Sequence, residues 1–199
     1  MPTRLLASTI GIAVAVGLLC GCGSSSGKAS AANTAAQAAP ANATIGALAP
    51  AWTLPLSTGG TLTSASLKGK PVYLNFFATW CPPCNDEAST VNALAQKYKS
   101  SGLVVVGVDE AETAAKARFF VTEHHLSYPA VVDGGVLRDA YLINGLPVHA
   151  FIGRDGKLQN LVIGQMEPAE IEAAIRKIAT TERRSASAIR HLPPGGEAP

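Results

Sequence analysis

The chain has 199 residues, 47% of them apolar, and a formal net charge of +2 from 16 Lys and Arg against 14 Asp and Glu. That length suits one domain with tails, and the apolar share is enough for a real core. The small charge, with no basic run in the part expected to fold, gives nucleic-acid binding no electrostatic support, and neither a Walker-type phosphate loop nor Gly-x-Gly-x-x-Gly after a strand occurs.

The N-terminus reads as a targeting segment. Arg4 supplies a positive charge, and Leu5 to Leu19 is almost wholly apolar. This is the length of a signal-peptide core and short of the roughly 20 residues of a membrane span. The run ends in Leu19-Cys20-Gly21-Cys22, which resembles a bacterial lipobox, where a small residue precedes the cysteine to be lipidated. Gly21 before Cys22 fits that rule, whereas Leu19 before Cys20 fits it badly. Residues 1–21 are therefore the expected lipoprotein signal peptide and Cys22 the expected lipidation site. Residues 22–44, rich in Ala, Ser, Asn and Gln, read as a flexible tether. Residues 45–179 are the expected domain, and 180–199 a patternless, disordered tail.

Within the domain the hydrophobic period alternates. Val72 to Phe77 is a short apolar run behind Gly69-Lys70-Pro71 and reads as a buried strand. Cys84 to Lys99 follows with Ala88, Val91, Leu94, Ala95 and Tyr98 on one helix face. Leu103 to Val108 is a second buried strand. Glu112 to His125 is helix-like, with Ala114, Ala117, Val121 and His124 or His125 on one side. Pro129 to Val132 reads as a strand and Val136 to Leu142 as a short helix. Val148 to Ile152 and Leu158 to Ile163 are strands joined through Asp155-Gly156, a strong hairpin signal. Pro168 opens a last helix striped by Ile171, Ile175 and Ile178. Strand–helix–strand units pair in parallel and the hairpin adds an antiparallel pair. The expected fold is α/β, a mixed sheet with helices on both faces.

Cys81 and Cys84 are the two thiols left once Cys20 departs with the signal and Cys22 carries lipid. Export puts them where disulfides persist. They stand where a strand hands over to a helix, and helix N-terminal amides favour a thiolate there. Cys81 is expected to be the exposed nucleophile. Cys84, one turn in, is expected to be more buried and to resolve the mixed disulfide. Structural zinc normally needs a second such pair, which the mature chain lacks. A structural staple across so short a loop removes little closure entropy.

The stretch "NFFATWCPPC" resembles the active-site strand and motif of thioredoxin-fold proteins. More closely, it and "GLPVHAFIGRDGKL" resemble the TlpA/ResA/CcmG group of membrane-tethered bacterial thiol-disulfide oxidoreductases. The resemblance covers most of residues 45–179 and implies a single thioredoxin-like domain without a cofactor. It implies that Pro147 is the cis-proline facing the cysteines, and that Glu87 is an acid able to raise a thiol pKa or relay its proton. Asn75 stands where thioredoxins carry an aspartate, and it cannot act as a base. Trp80, Pro82, Pro83 and Leu146 are the implied substrate contacts. The implied partners are disulfides of exported proteins, with apocytochrome c among them, and a membrane electron donor of the CcdA/DsbD type. Pro82 and Pro83 remove two N–H donors to the Cys81 sulfur, which argues for a reductant. Two alternatives stay open: a disulfide-forming or isomerising enzyme, and a copper-binding chaperone using both thiolates and His149. A thiol peroxidase is disfavoured, since neither cysteine has Thr three residues before it. His124 and His125 read as complements to a helix C-terminus.

Overall fold

Val72–Phe77 is buried at every position, which matches its unbroken apolar and aromatic run. It forms the centre of a five-stranded sheet in the structure, a computed structural model that describes residues 42–180. The signal peptide, Cys22, most of the tether and the tail beyond Thr180 lie outside the described residues. Those described all fall within one compact unit, and no helix among them is long and apolar enough to cross a membrane.

The elements run β1 (Thr53–Pro55), β2 (Thr61–Thr63), β3 (Val72–Phe77), α1 (Pro82–Lys97), β4 (Val104–Glu110), α2 (Ala114–Glu123), β5 (Ala130–Asp133), α3 (Val136–Ala140), β6 (Val148–Ile152), β7 (Leu158–Ile163) and α4 (Pro168–Thr180). The sheet order is β5-β4-β3-β6-β7. β3 pairs in parallel with β4 and β4 with β5, while β6 is antiparallel to both β3 and β7. The Asp155-Gly156 turn joins β6 to β7, with Gly156 at φ +76°.

The pleat of β3 splits the core. Tyr73 and Phe77 point to one face, with α1, α4 and Phe120 of α2. Leu74 and Phe76 point to the other, under α3 and the β1–β2 hairpin. Gly107 of β4 leaves room for the Phe77 ring, because a Cβ there would come within 2.9 Å of it.

Three expectations need correction. The first long helix begins at Pro82 rather than Cys84, since proline suits a first helical turn, where N–H groups have no helical acceptor. On α2 Ala117 is buried as expected and Val121 packs partly buried against the core, but Phe120 is buried as well; it is drawn in by its stack on Phe77, 4.1 Å between ring centres. The hairpin of β1 and β2 went unread, because strands of three residues carry no measurable period.

Candidate redox site

β3 ends at Phe77, and the chain turns through Ala78, Thr79 and Trp80 into α1. Cys81 is the N-cap of that helix, and its sulfur accepts the Cys84 N–H at 3.3 Å. Cys81 and Cys84 are joined in a disulfide with 5.3 Å between their α-carbons. Both residues are buried, Cys81 to 2% exposure and Cys84 to 4%. In this oxidised form Cys81 is therefore not the exposed member of the pair. Ala78 before it is fully buried, whereas Trp80, its immediate neighbour in the chain, is 68% exposed. Pro82 is exposed and Pro83 half-buried.

Two clamps hold the turn. Glu112, just before α2, accepts the Thr79 N–H at 2.6 Å and the Thr79 hydroxyl at 2.7 Å. Asn85 donates its side-chain amide to the carbonyls of Cys81 (2.7 Å) and Thr79 (3.3 Å). The Asn85 oxygen is 2.9 Å from His124 Nε2, which must then be the donor. His124 thus serves the turn rather than only the end of its own helix. Glu112 and Asn85 were not foreseen, and a pattern of local spacing has no means of finding them.

Pro147 is buried at the same end of the sheet, one residue before Val148, which pairs with Phe76. The Leu146–Pro147 peptide is cis. The Pro147 carbonyl accepts the Gly164 N–H at 2.8 Å. Leu146 is half-buried and packs against both halves of the core.

Glu87 lies one turn after Cys84 and is buried. It is not a surface acid at a helix start. Its Oε1 accepts the Met166 N–H at 2.5 Å, and its Oε2 stands 3.4 Å from His149 Nε2. Burial raises its pKa, the Met166 N–H pulls it down, and Asp86 and Glu167 push it up. His149 is fully buried, and burial lowers its pKa to about 4; the pair is thus a neutral imidazole beside a carboxyl. Asn75, opposite His149 in the sheet, is also buried. Asp109, beside Phe77 on β4, is raised to about 7 by burial and next by the charge of Glu112. No group of three or more metal-ligating side chains occurs among the described residues.

A disulfide at a strand-to-helix junction, level with a cis-proline on the neighbouring strand, is the arrangement of the thioredoxin fold, and the class it defines is thiol-disulfide exchange. A family model described as the AhpC/TSA family matches residues 45–161. Thiol-disulfide oxidoreductase ResA of Bacillus cereus is 34% identical over 135 residues, 67% of this chain and 78% of the relative. A secreted Mycobacterium tuberculosis disulfide oxidoreductase homologous to E. coli DsbE superposes with a TM-score of 0.59 at 26% identity, covering 63% of this chain and 95% of that one. The pneumococcal exposed lipoprotein thioredoxin of Streptococcus pneumoniae gives a TM-score of 0.54 at 30% identity, with 64% and 98% covered. The chain belongs to the AhpC/TSA family, as a thioredoxin-fold enzyme of the ResA and DsbE type of thiol-disulfide oxidoreductase.

Proposed function

We propose that this enzyme is a lipid-anchored, extracytoplasmic reductant of disulfides in exported proteins. The observation that carries the direction is the set of groups around Cys81. Its sulfur accepts one backbone N–H, from Cys84, and Pro82 and Pro83 have none to offer. Carboxyls gather at the same end of the sheet, with Glu112 clamping Thr79 and Asp109 behind it. A thiolate with few donors and negative neighbours is poorly stabilised, so the reduced form gives up its electrons readily.

The reduced Cys81 thiolate attacks one sulfur of a substrate disulfide, forming a mixed disulfide and expelling the other sulfur as thiolate. Cys84 then yields its proton to Glu87 and attacks the Cys81 sulfur. The Cys81–Cys84 bond forms, the mixed disulfide breaks, and the second substrate sulfur leaves. The substrate gains two electrons; its thiolates take up two protons, one of them returned from Glu87. Trp80, Pro82, Pro83 and Leu146 form the contact surface. Pro147, which has no N–H, leaves the adjoining backbone of Leu146 to pair with a substrate strand.

The ResA likeness supports apocytochrome c as a substrate and a CcdA/DsbD-type membrane carrier as the electron source. The lipobox at Cys22 and the lipoprotein relative support the anchor. The test is the reduction potential against glutathione and dithiothreitol. A value below about −220 mV is expected, and one near the −120 mV of DsbA would overturn the reductant reading. Cys84→Ser should leave exported proteins disulfide-linked to Cys81; no adducts on non-reducing gels would remove the proposed substrates.

A further inference from the structure

A buried polar chain that starts at Glu87, three residues after Cys84, runs through three elements. Glu87 comes from α1, His149 from β6 and Tyr73 from β3, and none is more than 5% exposed. Met166 N–H occupies Glu87 Oε1. Glu87 Oε2 and His149 Nε2 stand 3.4 Å apart, and neither makes a hydrogen bond among the described residues, not even to the other. The other imidazole nitrogen, Nδ1, is 2.7 Å from the Tyr73 hydroxyl. The Tyr73 ring is itself packed against Phe151, 4.6 Å between centres. Water-excluded polar atoms are costly unless they serve one another, so this alignment fixes what each must do.

We infer that His149, locked by Tyr73, is a positioning residue that keeps Glu87 able to take and release the proton of Cys84. The inference rests on the thiol-exchange reading above. Burial keeps the Tyr73 phenol protonated, with its pKa raised well above the ordinary value. In the tautomer this role requires, its O–H donates to Nδ1 and the imidazole proton sits on Nε2, 3.4 Å from Glu87 Oε2. That N–H favours the carboxylate and opposes a proton on Oε2. Burial, Asp86 and Glu167 all push Glu87 the other way. The remaining groups facing the chain are Tyr128 and Asn75 beside Tyr73, and the Gly164 backbone beside His149. The histidine stays neutral, so it contributes a directed dipole rather than a charge. Without it the Met166 N–H alone opposes the upward push on Glu87, and its carboxylate is harder to keep free for the proton Cys84 must lose. Cys81 does not depend on this chain.

The two thiols can be read separately. The reduced full chain, carrying Cys20→Ser and Cys22→Ser, is mixed with a chromogenic aryl disulfide. The first aryl thiolate released reports attack by Cys81, and the second reports Cys84 closing the intramolecular disulfide. His149→Val should slow the second phase about tenfold at neutral pH and move its midpoint up by about one pH unit, with the first phase unchanged. His149→Gln, which keeps an N–H toward Oε2, should recover most of the rate. Tyr73→Phe should shift the midpoint the same way by less. The proposal is overturned if the His149→Val second phase superimposes on that of the parent. It is equally overturned if both phases slow together, or if Gln does no better than Val. Absence of any release from the parent would instead sink the thiol-exchange reading itself.

Discussion

Glu112 accepts two hydrogen bonds from a single residue, the N–H and the hydroxyl of Thr79, two positions before Cys81. A carboxylate can serve both donors, whereas an amide offers one oxygen. Glu112→Gln should therefore cost about 0.5–1.5 kcal/mol of stability, the range for one hydrogen bond lost at a half-buried site. It also removes a negative charge from the turn, so Cys81 should ionise at lower pH and alkylate faster at neutral pH. Chemical denaturation and the pH dependence of alkylation measure the two effects, and slower alkylation would contradict the electrostatic part. Cys81, Cys84 and Pro147 were legible because they sit in short motifs. Glu112 and Asn85 were not, since their partners lie far off in sequence; Thr79 and Glu112 are 33 residues apart. His149 was legible only as a candidate copper ligand, and its partner Tyr73, 76 residues earlier, looked like one more apolar strand residue.

Among elements, α2 holds the redox turn from both of its ends. Glu112 precedes its first turn, and His124 follows its last and orients Asn85. Between them Phe120 anchors the helix by stacking on Phe77, the last residue of β3 before the turn. Phe120→Ala should cost about 3–5 kcal/mol, as for a large buried ring. It should also raise the exchange rate of the Thr79 and Cys81 amides beyond what the lost global stability accounts for, and hydrogen exchange checks this. Uniform protection loss would mean that α2 does not brace the turn. The long elements followed from period alone: β3 as a run, α1 and α4 as stripes, β6 and β7 through Asp155-Gly156. The face of α2 was legible from Ala117 and Val121, and what period alone missed was Phe120, which its stack on Phe77 draws in. The β1–β2 hairpin, held by pairing such as Leu54↔Leu62, is too short for any period to show.

For the whole molecule, buried ionisable groups set the pH dependence of stability. Asp109 and Glu110 titrate near 7, both raised first by burial. Between their unfolded values near 4 and 7 the native state binds more protons, so stability falls as pH rises through that window. His149, lowered to about 4, acts in the opposite sense. Its unfolded form gains a proton below about 6.5, so it costs stability as pH falls below that. Two carboxyls outweigh one imidazole, so their loss dominates from pH 6 to 8. The melting temperature should therefore fall over that range. Asp109→Asn, which removes the charge that must be buried, should melt higher than the parent at pH 8 and gain little at pH 5. A parent curve flat across the range would show that neither acid is held protonated.

The segment ahead of β3 reaches both outer strands of the sheet with its backbone. The Ser57 N–H bonds to Ala130 on β5, while Ala47 and Gly46 bond to Leu158 on β7. Copies of a protein tethered as proposed are crowded in two dimensions, where bare strand borders would zip together into stacks. Here a stretch of the same polypeptide occupies one end of each border, at Ala130 and at Leu158, and so shortens the edge that a crowded neighbour could join.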